Sequence, residues 1–267
     1  MFRDSRALIS RKEKWNNYVL LGLRSPQIAR HAQPGRFLMV RVNDQPYPLL
    51  RRPFSIHARI KDMVEILFTR AGTGTAILAE KNEGESLDIL GPLGKGFTLK
   101  RNLKGKTVLL VGGGRGIAPL YFLARKLRSL KIQPTIFYGG KTAADLPILE
   151  KLHKHGFDLF VSTDDGSLGF KGLVSTLLQA EVQRSRFRPA HIYSCGPEPM
   201  MKAVAALASA RGIPAEFSLE SIMGCGIGAC WGCVRRIRKG DTEEWAKICE
   251  EGPVFRGSEI VWEGEDS

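Results

Sequence analysis

Apolar and polar residues alternate through much of the first hundred positions. Stretches 36–42 (RFLMVRV), 54–60 (FSIHARI) and 63–69 (MVEILFT) read as strands parted by Pro- and Gly-bearing turns, a texture that suits an antiparallel barrel. Residues 84–97 (GESLDILGPLGKGF) carry it on to a Gly/Pro-rich exit. From Lys104 the period changes. An apolar run ending in glycines (106–114, KTVLLVGGG) precedes an amphipathic stretch (118–130, APLYFLARKLRSL). Short apolar strands then alternate with helical stretches: PTIFYGG, ADLPILEKLHKHG, DLFVSTDD, GLVSTLLQAEVQR, AHIYSCG, PEPMMKAVAALASARG and AEFSLE. Such alternation predicts a parallel, doubly wound sheet.

The expected organisation is multi-domain: a β-barrel over residues 1–100, a doubly wound α/β domain over 101–217 and a small Cys- and Gly-rich domain over 218–267. The last is too short to hold a large core without a metal staple. At 43% hydrophobic and 25% charged residues, the composition is globular. No apolar run approaches the roughly 20 residues of a bilayer crossing, and residues 1–15 lack an apolar signal segment, so no membrane role and a cytoplasmic location are expected. The net charge of +13 is scattered, its densest run being RRIRK at 235–239. With no aromatic–basic platform beside it, this reads as a solvated basic surface rather than a nucleic-acid site, and it also suits anionic cofactors or an acidic protein partner.

Glycines where a strand hands over to a helix let the backbone approach a pyrophosphate, and the helix N-terminus supplies free N–H groups. Gly112, Gly113, Gly114 and Gly116 are so placed, although Ile117 stands where the general dinucleotide fingerprint has its third glycine. Asp164 and Asp165, after the third parallel strand, would accept hydrogen bonds from a ribose 2′-hydroxyl, favouring NAD over NADP; capping the turn before Gly166 is an equal explanation. Cys195 ends the fourth strand beside a Gly-Pro turn, in the crevice where open α/β sheets bind ligands, or is a buried small apolar residue. In the first domain, Arg52 precedes a proline turn, Ser55 follows it, and the AGTGTAILAE stretch (71–80) leads a Gly-Thr loop into a helix. These are two anion signals on one barrel.

Four of the five cysteines lie in the last fifth of the chain, spaced C-x4-C-x2-C and then fifteen residues to Cys249. An odd count in a reducing compartment argues against disulfides. The spacing is that of plant-type [2Fe–2S] centres. Zinc knots usually add a second C-x2-C or histidines, and no His follows His191, which makes structural zinc the lesser reading.

Taken in order, RPFS, the GTGT loop, GPLGKGF, GGGRGIAPL, CGPEPMM and MGCGIGACWGC resemble the ferredoxin–NADP reductase superfamily, and within it the electron-transfer subunits of class 1B dihydroorotate dehydrogenases. The resemblance implies an FAD-binding barrel, an NAD domain and a C-terminal [2Fe–2S] domain. It implies that Arg52, Pro53, Phe54, Ser55, Leu67, Phe68 and Thr69 contact FAD, with Gly74 and Thr75 at its pyrophosphate, and that Cys225, Cys230, Cys233 and Cys249 ligate the cluster. Phe54 and Phe68 depart from what many members carry. The implied partner is an FMN-containing catalytic subunit that oxidises dihydroorotate for pyrimidine biosynthesis, usually in a heterotetramer, and no catalytic residue for that substrate is expected in this chain. Electrons would pass from the partner through cluster and FAD to NAD+. Two alternatives stay open. One is the small subunit of an NADH-dependent ferredoxin–NADP oxidoreductase or sulfide dehydrogenase, disfavoured by four intact cysteines where such chains tend to carry an aspartate. The other is a zinc-stabilised nucleotide-binding module without redox activity.

Overall fold

The computed structural model describes residues 1–184 and 187–262. Its first part holds β1 (Phe2–Trp15), β2 (Tyr18–Arg24), α1 (Pro26–His31), β3 (Phe37–Arg41), β4 (Arg52–Ile60), β5 (Met63–Thr69), α2 (Thr73–Glu80) and β6 (Ser86–Leu93). The six strands close an antiparallel barrel in the order β1-β2-β5-β4-β3-β6. Leu21, Val40, Ile56, Ile66 and Ile89 fill it. The strand β1 escaped the alternation pattern because only Ala7 and Ile9 are buried on it, and a bulge between Ile9 and Arg11 breaks its register. Asn16, at φ 50°, supplies the left-handed residue of the β1–β2 turn.

A second sheet contains β7 (Thr107–Gly113), β8 (Pro134–Gly140), β9 (Asp158–Thr163), β10 (Phe170–Lys171), β11 (Pro189–Cys195) and β12 (Ala215–Ser218). Helices α3 (Ile117–Ser129), α4 (Leu149–Lys154), α5 (Val174–Gln183) and α6 (Glu198–Ala210) connect and cover these strands. On β7, Val108 and Leu110 meet α3 on one face, while Leu109 and Val111 meet α5 and α6 on the other. Burial on both faces explains the unbroken apolar run. The helical stretch expected around ADLPILEKLHKHG is shorter than its pattern. Pro147 disfavours helical backbone at Leu146, so a 3-10 turn at Ala143–Asp145 precedes a helix that starts only at Leu149.

The C-terminal segment contributes the hairpin β13 (Val234–Lys239) and β14 (Thr242–Lys247), then α7 (Ile248–Glu251) and β15 (Val254–Arg256). Strand β15 joins the second sheet antiparallel to β12, giving the order β10-β9-β8-β7-β11-β12-β15. Ile237, Ala246, Ile248, Phe255, Ile260 and Trp262 share one core with the α5/α6 face of that sheet. Burying each large apolar side chain is worth about 1.5–3 kcal/mol. The segment is therefore anchored by a borrowed core and does not depend on a metal staple alone.

Barrel and sheet meet where α3 crosses β4. The fully buried His57 stacks on Tyr121 at 4.5 Å between ring centroids, and its Nδ1 donates to the Ala118 carbonyl at 3.2 Å. Burial, aided by the nearby Lys151 ammonium, pushes the imidazole down to about 3, so it is neutral in the fold. Glu65, also fully buried on β5, is held by Arg11 at 3.0 Å. No helix among the described residues is long and apolar enough to cross a membrane.

Candidate functional site

On the barrel, β4 and β5 are antiparallel neighbours, and their residues Pro53, Phe54, Ser55, Leu67, Phe68 and Thr69 line one cavity of about 220 Å³. Phe54 and Phe68 pack at 5.2 Å between centroids and form an aromatic wall. The Ser55 hydroxyl makes no hydrogen bond among the described residues. Thr75 also lines the cavity; its Oγ1 accepts from the Ala71 and Gly72 N–H groups at 2.8 and 3.1 Å, which shapes the loop into α2. Arg52 and Gly74 lie off the lining but against each other. A Cβ on Gly74 would stand 2.9 Å from Arg52 Nε, so only glycine lets the arginine lie over the start of α2. The two anion signals of the barrel thus converge.

A second cavity, about 720 Å³, opens at the carboxyl ends of the parallel strands, lined by Gly113, Gly114, Asp164, Gly139, Gly196 and Met200 among others. That is where doubly wound sheets take ligands. Gly112, Gly116 and Cys195 do not line it. Gly112 packs on Leu120 and Ile117, and a Cβ on Gly116 would collide with the Cys195 carbonyl oxygen. Burial holds the Cys195 thiol well above its ordinary value. Asp165 turns away to accept from Ser167 N–H and Oγ at 2.9 and 2.7 Å.

The cavities adjoin: Thr69, Arg115, Leu219 and Glu220 line both. Arg115 and Glu220 form an ion pair at 3.1 Å on this shared wall. The C-terminal segment adds Ser221, Met223 and Pro253 to the barrel cavity and Arg235 to the other, where Glu198 holds it at 2.8 Å. Arg235 heads the RRIRK run, which the sequence suggested was a solvated basic surface; instead it is only 12% exposed and paired with Glu198. Arg115 and Glu220 were not singled out, the first lying inside the glycine motif and the second carrying no spacing signal.

Just beyond Met223 the chain wraps into the cysteine loop. Gly226, at φ 75°, lies against the Met39 side chain of the barrel. The β13–β14 hairpin returns the chain so that Cys249 N–H donates to Cys233 Sγ at 3.4 Å. The four thiols lie close enough to influence one another, Cys230 acting on Cys225, and both Cys233 and Cys225 acting on Cys249. Backbone N–H groups reach them as well, Ile227 to Cys225 Sγ at 3.4 Å and Gly228 to Cys249 Sγ at 3.1 Å. Burial works to raise the Cys225 thiol, yet the N–H groups of Ile227, Cys230 and Ala229 outweigh it and bring the thiol down to about 7. Cys249, more enclosed and beside Cys233, is pushed up. Among the described residues no three His, Cys, Asp or Glu side chains converge on a single-ion site. Four thiols with backbone N–H donors to their sulfurs fit a two-iron cluster, and the C-x4-C-x2-C spacing matches it. Cys233 and Cys249 are buried, whereas Cys230 is exposed, and the same stretch of chain exposes Ile222, Ile227 and Trp231.

A barrel cavity, a second cavity at the carboxyl ends of the parallel strands sharing its wall, and a four-cysteine loop just beyond Met223 are the layout of an iron–sulfur oxidoreductase of ferredoxin-reductase architecture. Family models agree: residues 110–206 match the oxidoreductase NAD-binding domain, and 220–261 match the iron-sulfur cluster binding domain of dihydroorotate dehydrogenase B. The chain is 40% identical over 241 residues to the dihydroorotate dehydrogenase B (NAD(+)) electron transfer subunit of Desulforamulus reducens, covering 90% of each. With that of Shouchella clausii it shares 42% over 239 residues, 88% of this chain and 89% of the relative. It belongs to the family of dihydroorotate dehydrogenase B electron transfer subunits. Among solved structures, one described as the NADH-dependent reduced ferredoxin-NADP oxidoreductase superposes with a TM-score of 0.84 at 30% identity, covering 97% of this chain and 91% of that one. A Neisseria gonorrhoeae ferredoxin NADP+ reductase shares the fold, with a TM-score of 0.66 at 17% identity over 79% of this chain and 92% of that one.

Proposed function

We propose that this chain carries electrons between the FMN of a dihydroorotate-oxidising catalytic subunit and NAD+, in a heterotetramer of two chains of each kind. The observation that supports this most is the shared wall, because it sets the two cavities edge to edge with the cysteine loop beside them. In this reading residues 1–100 form the flavin domain, 101–217 the nucleotide domain and 218–267 the cluster domain. Cys225, Cys230, Cys233 and Cys249 would hold a [2Fe–2S] centre, and Pro53–Ser55 and Leu67–Thr69 would hold the flavin of FAD, with Arg52, Gly74 and Thr75 serving its diphosphate. NAD lies along Gly113 and Gly114, with Asp164 near its adenosine ribose. Gly112, Gly116 and Cys195 shape that site from behind, by packing. NAD exchanges electron pairs as hydride, the cluster exchanges single electrons, and FAD accepts either.

The chain's own part is to position and to shield. Phe54 and Phe68 exclude water from one side of the barrel cavity. Backbone N–H groups from Ile227 and Gly228 favour charged sulfur at Cys225 and Cys249. Exposed Ile222, Ile227 and Trp231, on the same stretch of chain as the exposed Cys230, offer apolar surface on which the catalytic subunit docks.

Purification from the native host, followed by spectroscopy and mass spectrometry, tests the reading. The expected result is a yellow-brown protein with flavin and about two irons per chain, co-purifying with an FMN protein that oxidises dihydroorotate. A colourless zinc protein would exclude any redox role. A coloured protein that instead couples NADH to ferredoxin and NADP+ would favour the second reading, which rests on the 0.84 TM-score superposition.

A further inference from the structure

The pair Arg115–Glu220 belongs to neither cavity alone. Arg115 sits in the 3-10 turn Gly114–Gly116 that opens α3, where a dinucleotide's diphosphate is expected. Glu220 follows β12 on the chain that runs into Met223 and the cysteine loop. Their side chains are about half exposed, 54% and 52%, so the pair is weak and biases an equilibrium by no more than about fivefold. The other cations of the nucleotide cavity differ. Arg235 is only 12% exposed and gripped by Glu198 through two nitrogens, and Lys141 has no ion-pair partner among the described residues. Arg115 alone combines the glycine-turn position with a counter-ion that is easily exchanged.

We propose that Arg115 is a nucleotide-binding residue held in check by Glu220, and that the diphosphate of NAD(H) displaces the carboxylate from the guanidinium. This rests on the nucleotide reading of the larger cavity. A diphosphate offers more negative charge and a bidentate match to the guanidinium fork, so it outcompetes a half-exposed carboxylate. The exchange also clears a path. While paired, both residues stand on the wall between the cavities, and hydride transfer needs the reacting atoms about 3–3.5 Å apart. Parting the pair removes that partition and frees Glu220, on the stretch leading to the cluster, only when nucleotide is present.

Competition predicts changes of opposite sign at the two ends of one ion pair, whereas a merely structural bridge predicts the same sign. The test is calorimetric titration of the full-length protein, with its flavin and iron quantified, using NAD+ and ADP-ribose (the diphosphate without nicotinamide). Glu220→Gln should bind both ligands about two- to fivefold more tightly. Arg115→Ala should bind them about tenfold more weakly, Arg115→Lys should fall between, and the double variant should match Arg115→Ala. Weaker binding in Glu220→Gln, or unchanged binding in Arg115→Ala and Arg115→Lys, would overturn the proposal. Failure of the unaltered protein to bind either ligand would instead remove the nucleotide reading beneath it.

Discussion

The cysteine loop and the glycine turn are the two densest motifs of the chain, and the ligands proposed for them would be held by opposite means. In the loop the motif side chains would themselves be the contact atoms, and one hairpin returns the chain so that Cys249 N–H reaches Cys233 Sγ. In the turn the contact atoms would be backbone, and part of the motif serves packing instead. Gly113 and Gly114 line the cavity, whereas Gly116 is glycine because the Cys195 carbonyl leaves no room for a side chain; a Cβ on Gly112 would crowd only the ends of Leu120 and Ile117. A side-chain motif declares its ligands in sequence. A backbone motif does not distinguish the glycine that meets a phosphate from the one that meets a neighbouring strand.

The largest expected effect breaks the loop side of that comparison. Cys233→Ser removes a buried thiol proposed as a cluster ligand, so the charge-transfer absorbance of the cluster and its iron should be lost entirely, while NADH still bleaches the flavin. A cluster spectrum of full intensity would show that Cys233 is not a ligand. Next comes the turn. Gly116→Ala forces a methyl into the Cys195 carbonyl and should cost about 1–3 kcal/mol in urea-unfolding stability. Gly72→Ala, whose Cβ meets nothing within 4 Å and whose backbone is extended, should cost only tenths of that. Equal losses in both would contradict a packing role for Gly116.

The smallest effect concerns how the turn's helix is pinned to the barrel. His57 bonds the Ala118 carbonyl in the first turn of α3. Its folded value, about 3, lies below the roughly 6.5 of an unfolded histidine, so the fold favours the neutral ring. That contribution is complete above about pH 6.5 and is lost as pH falls from there toward 3, roughly 1 kcal/mol by pH 5.5. His57→Phe keeps a ring against Tyr121 and cannot titrate, so its stability should vary less with pH between 7 and 5.5. An unchanged slope would assign the acid sensitivity to other groups.

Much of the architecture was legible because period survives in sequence. The doubly buried run of β7 follows from the helices that cover both of its faces, whereas β5, expected to alternate, is buried continuously from Val64 to Phe68 because α3 and the second sheet cover its outer face, where Leu67 joins their core. What was not legible depended on company. Strand β1, with two buried side chains and a bulge, resembles a charged loop until β2 and β6 flank it. Residues Val254–Arg256 are too few to declare a strand, and become one only because β12 offers an open edge.

The sequence by itself determined the barrel texture, the strand–helix alternation of the second sheet and the spacing of the four cysteines, since each is a local pattern. Pro53–Ser55 and Leu67–Thr69 were expected at the barrel cavity from the family resemblance, and they line it. Only the tertiary structure decided that the two cavities share a wall, that Arg115 and Glu220 stand on it and that the C-terminal segment borrows the core of the second sheet. Those facts join residues about a hundred positions apart, and such pairs are chosen by packing, which no local pattern encodes.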